Sequence, residues 1–194
     1  MDRMKVSPFV WRIYDKYYPE QSSPELRRIL LVHSECVAAK AVEVARSADI
    51  LDSIDIQFVT DAAMLHDIGI FATDAQTIHC HGRLPYICHG VEGRRILDEE
   101  GLQPRYGLVC ERHTGSGLSA DYIASKRLPL PLRDMLPESI EEKLICYADK
   151  FYSKSGDLRR EKSPEFIRSC MSAHGEEALA GYMELEKLFA PRRH

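Results

Sequence analysis

Five segments of the chain put a histidine or an aspartate where an apolar helix face would otherwise continue. They are His33 in LLVHSEC, His66 and Asp67 in AAMLHDIG, His89 in YICHGVEG, His113 in CERHTG and Asp149 in CYADK. Neutral imidazole nitrogens and carboxylate oxygens are ligands for divalent Fe, Mn, Zn, Co, Ni or Mg, and the abundance of imidazole favours the softer of these. Six such ligands are too many for one tetrahedral ion and suit two ions sharing a carboxylate, with open positions left for water and substrate. Neighbouring residues on a helix project about 100° apart. His66 and Asp67 can therefore straddle a pocket where the helix unwinds at Gly69, while AAML stays in the core. Taken singly, each histidine reads more simply as a buried polar group that needs a hydrogen-bond partner.

Helices must carry these groups to one place, because the candidates run from residue 33 to residue 149 and meet only in the fold. Ser23, Pro24 and Glu25 form a start signal for a helix reaching about Ser47, with Leu26, Leu30, His33, Val37 and Ala41 on its buried face. DIQFVTDAAMLHDIGIF predicts a second helix, with Phe58, Ala62 and Leu65 inward and Gly69 supplying the conformation of a helix C-terminus. PYICHGVEGRRILDEEGL predicts a third, stopped by Gly101, and Gln103 to His113 a fourth, broken by TGSG. PESIEEKLICYADKFYSKSGD predicts a fifth, and SPEFIRSCMSAHGEEALAGYMELEKLF one or two more. Alternating strand patterns are scarce, so the fold class is all-α, a single-domain helical bundle. The least regular stretch is 114–137, whose LPLPLRDMLP cannot continue a helix; a loop of that length would line or cover a site entrance. Near the start, Phe9, Trp11, Tyr14, Tyr17 and Tyr18 suit an N-terminal helix packed on the bundle. APRRH at the end reads as a solvated tail.

The order His, His-Asp, His, His, Asp, with the middle pair written HDIG, resembles the HD-domain phosphohydrolase superfamily and its HDIG subgroup. LHDIG, HGVEGRRIL, RHTGSG and EEKLICYADKFYSKS are similar to small stand-alone members with two extra histidines, a set that includes HD-type diadenosine tetraphosphate hydrolases. The resemblance implies a helical bundle with metal at its centre. Residues 1–22 would be an extension packed on the bundle, 23–156 the HD core and 157–194 further helices of the same domain. It also implies that His33, His66, Asp67 and Asp149 hold one ion, while His89 and His113 hold a second that Asp67 bridges. A metal-activated hydroxide would then hydrolyse a phosphate ester or anhydride of a small molecule such as a nucleotide or dinucleoside polyphosphate. If His89 and His113 face away, the site is mononuclear. Many relatives carry Lys directly after HDIG where this chain has Ile70, so a phosphate-binding cation must come from elsewhere. Lys143 and Lys150 are the first candidates for that catalytic role, with Arg83, Arg94, Arg95 and Arg112 behind them. The GYP triplet of cyclic-di-GMP phosphodiesterases is absent, which argues against that substrate. A different class of function, a metal-containing module that senses a nucleotide without turnover, carries the same residues.

Composition limits the partners. A hydrophobic content of 44%, a charged content of 29% and a net charge of −4 over 194 residues fit one globular domain and give no basic footprint for nucleic acid. No window approaches the roughly 20 apolar residues needed to cross a bilayer, and the opening residues have no apolar leader core, so a cytoplasmic protein with no membrane partner is expected. The six cysteines include no CxxC pair and read as reduced, mostly buried thiols. HCH at 79–81, with Cys88 and His89, offers a rival structural zinc site if His79 and His81 lie on one side of an extended segment. Asp61 and Glu92 could orient imidazoles from behind, or serve as surface caps or ion pairs.

Overall fold

Start signals divide the chain into nine α-helices among residues 5–191, those that the computed structural model describes. In order they are α1 (Pro8–Tyr17), α2 (Pro24–Ser47), α3 (Ile56–Leu65), α4 (His89–Glu99), α5 (Pro104–Arg112), α6 (Ala120–Lys126), α7 (Ile140–Asp149), α8 (Pro164–His174) and α9 (Glu176–Leu188). Proline opens α1, α2, α5 and α8, where its missing N–H has no intrahelical partner to lose. Side-chain oxygens cap others: Asp55 accepts from the Phe58 amide at 3.0 Å and Ser139 from that of Glu142 at 3.1 Å. Among the described residues, strand is confined to a minimal antiparallel hairpin, β1 (Asp74–Ala75) with β2 (Cys80–His81). The all-α expectation holds.

Small residues let the central helices close on one another. Val37, Ala38, Ala41 and Ala45 of α2 meet Ala62, Ala63 and Leu65 of α3 and Leu144, Ile145 and Ala148 of α7 in one buried core. The N-terminal aromatics close its outer side. Tyr14 and Tyr18 are fully buried, and their hydroxyls donate to the Met64 and Ile68 carbonyls, both at 2.7 Å. The first helix is thereby tied to the backbone on either side of His66 and Asp67. Trp11 departs from the expected packing, since 37% of it is exposed.

Several boundaries differ from the sequence reading, each for a local reason. The second helix ends at Leu65, so His66 and Asp67 follow it rather than belong to it. Gly69 has φ −85°, not the left-handed cap conformation expected. Its lack of a side chain serves close packing instead, because a Cβ there would lie 2.2 Å from the His89 carbonyl oxygen and 2.5 Å from the Gly93 nitrogen. The third helix starts at His89, after a separate 3-10 turn over Tyr86–Cys88. The fifth stops at Asp149, and turns follow. The stretch 114–137 contains α6, capped by Ser119, and its Leu118, Ile123 and Met135 form a small second core. The tail APRRH lies outside the described residues from position 192 on.

Candidate metal centre

Each of the six predicted donors stands at an element boundary or on a fully buried face. His33 projects from the middle of α2, His66 and Asp67 follow α3, His89 opens α4, His113 follows α5, and Asp149 closes α7. All six are buried. Helix ends place polar groups at the centre while the helix bodies remain apolar. A close approach of α4 to α5 brings the last two histidines together; at Gly90 a Cβ would lie 2.5 Å from the Cys110 carbonyl oxygen.

The donors form two sets joined by one carboxylate. His33, His66, Asp67 and Asp149 make the first and Asp67, His89 and His113 the second, the ligand atoms within each lying within 4.8 Å of one another. Asp67 Oδ2 faces the first set, 3.3 Å from His33 Nε2 and 3.0 Å from His66 Nε2. Its Oδ1 faces the second, 3.4 Å from Nε2 of both His89 and His113. Asp149 Oδ1 lies 3.0 Å from His33 Nε2 and 3.4 Å from His66 Nε2.

Backbone carbonyls decide which ring nitrogen is available. Nδ1 of His66, His89 and His113 donates to the carbonyl three residues earlier, of Ala63 at 2.6 Å, Tyr86 at 2.7 Å and Cys110 at 2.8 Å. That bond fixes the tautomer and turns the Nε2 lone pair toward the centre. Tyr86 stacks on the His89 ring, with centroids 4.7 Å apart, and holds its orientation.

This arrangement fits divalent ions and is costly without them. His89 Nε2 and His113 Nε2 lie 3.1 Å apart with both Nδ1 atoms already donating, so two lone pairs confront each other unless a cation lies between them. His66 Nε2 and both Asp67 oxygens are buried and complete no well-formed hydrogen bond. Burial and neighbouring charge set the protonation of these groups. Burial pushes His89 down to about 3 and lowers His113 as well, leaving neutral rings. Burial also opposes charge on Asp67 and Asp149, yet neighbouring cations outweigh it and hold both well below the usual carboxylate range: Lys154 and His66 for Asp67, Lys150 and Lys154 for Asp149. His66 is pushed down by burial but raised on balance to about 9 by the Asp67 and Asp149 carboxylates.

A cavity of about 380 Å³ opens beside Asp149, lined by Tyr86, Lys150, Lys154, Lys162 and His174 among others. Lys150 Nζ lies 2.7 Å from Asp149 Oδ2 and donates to the His113 carbonyl at 3.0 Å. Lys154 Nζ lies 2.6 Å from Asp67 Oδ2. Lys143 is half-buried on α7, nearly two turns before Asp149, and does not line this cavity. Three of the candidate arginines are engaged elsewhere: Arg94 with Glu111, Arg95 with Glu92 and Glu99, and Arg112 with Glu138 and Glu142. Arg83 is exposed. Sequence reasoning missed Lys154 and Lys162. Lys154 was within reach, in the same YADKFYSKS segment as Asp149, whereas the approach of Lys162 depends on how the following turns fold.

Three alternatives left open by the sequence are resolved. Asp61 orients no imidazole; it accepts from the Ser7 amide at 2.8 Å and the Ser7 hydroxyl at 2.6 Å, anchoring the N-terminal segment. Glu92 pairs with Arg95 on its own helix. HCH forms no metal group among the described residues: His79 has a left-handed φ of 60°, His79 and His81 are exposed, and Cys80 is buried between them. Cys80 is held in the core while the two histidines face outward.

Comparison with known proteins places this geometry. The HD domain model matches residues 30–153. The chain is 31% identical over 145 residues to a protein of Picrophilus torridus named tRNA (cytidine(56)-2'-O)-methyltransferase, covering 71% of this chain and 38% of that one. It is 34% identical over 130 residues to the protein of the same name from Thermoplasma volcanium, covering 67% and 33%. An uncharacterized protein of Methanocaldococcus jannaschii is 38% identical over 96 residues, covering 50% and 49%. The chain thus spans between a third and a half of the length of these relatives. The family match begins within α2, ends just beyond α7 and includes all six donors, and the chain belongs to the HD domain family.

Proposed function

We propose that the protein is a metal-dependent phosphohydrolase that cleaves a phosphate ester or anhydride of a small molecule, with a nucleotide or dinucleoside polyphosphate as the first candidate. The observation that carries this reading is the pair of buried donor sets joined through the two oxygens of Asp67. In this reading His33, His66, Asp67 and Asp149 would hold one divalent ion, and His89, His113 and Asp67 would hold a second. Bound ions of this kind acidify water and stabilise charge developing on phosphoryl oxygens.

The chain's own residues supply the rest. The carbonyl-anchored imidazoles keep their Nε2 atoms aimed without reorganisation. Lys150 and Lys154 counter the negative charge of Asp149 and Asp67 at the floor of the cavity. Lys143 is the weaker of the two lysines first considered, since its position on α7 does not bring it to the cavity wall. The activity named for the two methyltransferase relatives belongs to proteins more than twice as long as the matched segment. What they contribute here is that this unit occurs in proteins acting on RNA, which supports a nucleotide as substrate.

The test combines elemental analysis of protein purified without chelators with a phosphate-release panel on the same sample. About two transition-metal ions per chain and release from a nucleotide are expected. Metal at that ratio, a ligand that raises the melting temperature and no turnover of any panel member would replace the enzyme with a nucleotide sensor.

A further inference from the structure

A second cavity, of about 300 Å³, adjoins the first and differs from it in chemistry. Tyr86, Gly115, Met171 and His174 line both, so the two form one continuous trench. At the first end Asp149, Lys150, Lys154 and Lys162 stand among Tyr152, Ile167 and Cys170. At the second the walls are Ile87, Leu118, Tyr122, Leu128 and Met171, with Glu177 and His174 at the rim. The Glu177 carboxylate and the His174 imidazole are exposed and bond to no other side chain among the described residues.

The lysines at the charged end are not equivalent. Lys150 and Lys154 sit on the carboxylates of Asp149 and Asp67. Lys162 meets only carbonyls among the described residues, donating to that of Tyr152 at 2.9 Å and that of Lys150 at 3.3 Å. It is a half-buried cation without a counter-ion among the described residues, and it lines the cavity. Unlike Lys150 and Lys154, it is paired with no carboxylate among the described residues and is available to an anion in the trench. Burial lowers its proton affinity, as expected of an ammonium that lacks a carboxylate.

We propose that the trench is a two-part nucleotide site, with Lys162 receiving a phosphate beside the metal donors and the Tyr86–Tyr122–Leu128 cavity receiving the base. The apolar cavity suits a flat ring of modest size, because tyrosine, leucine and methionine contact its faces while His174 and Glu177 stand where a base presents its polar edge. Lys162 and the base cavity are specificity determinants, distinct from the six metal donors. The inference rests on the phosphohydrolase reading for what happens at the charged end, but base binding does not depend on turnover.

Saturation-transfer NMR with the four ribonucleosides, which have no phosphate to hydrolyse, tests the base cavity directly. At least one nucleoside should receive saturation on its base protons. Leu128→Trp, which fills the cavity, should raise its dissociation constant at least tenfold, and Tyr122→Ala should weaken it by several fold. Leu128→Trp is judged only if its melting curve remains cooperative; Tyr122→Ala, on the short α6, stands by itself. No base signal from any nucleoside, or unchanged affinity in both variants, overturns the base cavity. Lys162→Met should leave nucleoside affinity within twofold and weaken the matching 5'-monophosphate at least tenfold; equal loss for both, or none for the monophosphate, overturns the lysine's role. Nucleoside binding without phosphate release from any panel member would refute the phosphohydrolase reading and leave the cavity assignment standing. The same nucleotide, free or at the end of a short RNA, identifies the source: tighter binding of either form supports the site and names its ligand as a metabolite or an RNA terminus.

Discussion

Asp67 is the residue on which the centre turns, because its two oxygens face different donor sets and its carboxylate is fully buried. Asp67→Ala should lose both ions and reduce activity to background, read by elemental analysis and phosphate release; full activity in that variant would end the proposed mechanism. His66 gives a second prediction, from linkage. Its folded pKa is raised from 6.5 to about 9, so in metal-free protein the charged ring contributes stability that is fully present below pH 6.5 and is lost as pH rises through about 9. A metal ion needs the neutral ring, and its affinity rises over the same interval. The melting temperature of chelator-treated protein should therefore fall from pH 6.5 to 9.5 while the gap to metal-loaded protein widens. A gap that narrows would mean His66 is not a ligand.

At the scale of elements, the site depends on how closely α4 approaches the HDIG turn and α5. Gly69 has backbone against it on the α4 side, where nothing can move cheaply. Gly69→Ala should destabilise by about 1–3 kcal/mol, as overpacking of a tight contact does, and should weaken the second donor set more than the first because His89 opens the displaced helix. Chemical denaturation and ion counting check the two parts; loss of only the first ion would contradict the geometry. Ser139 caps the helix that delivers Asp149. Ser139→Ala should cost about 1 kcal/mol in a denaturation midpoint without altering the number of ions bound.

For the whole molecule, the N-terminal aromatics and the metal donors form one structural unit. Tyr14 and Tyr18 reach carbonyls flanking His66 and Asp67 from a helix that begins at Pro8. Tyr14→Phe keeps the packing and strands the Met64 carbonyl, a cost of roughly 1–3 kcal/mol for an unsatisfied buried acceptor. Chelation should add to this loss rather than replace it, since the hydroxyl bonds to the Met64 carbonyl and Ser34 and to none of the six candidate ligands; thermal melts of both proteins with and without chelator decide. No helix among the described residues is long and apolar enough to cross a membrane.

The sequence by itself determined the helical class and the helix start at Pro24, and it singled out the six polar residues that the fold gathers at its centre, because proline, capping residues and polar interruptions of an apolar face are local signals. HDIG and the order of the donors carried the family, and a match over residues 30–153 bears that out. Only the tertiary structure decided that Asp67 faces both donor sets, that carbonyls rather than Asp61 or Glu92 aim the imidazoles, and that Lys154 and Lys162 reach the cavity while Lys143 does not. Those outcomes depend on distances between elements far apart in sequence. Gly69 illustrates the difference: the sequence identifies a residue without a side chain, and only packing against α4 reveals that the space, not the backbone angle, is what the fold requires.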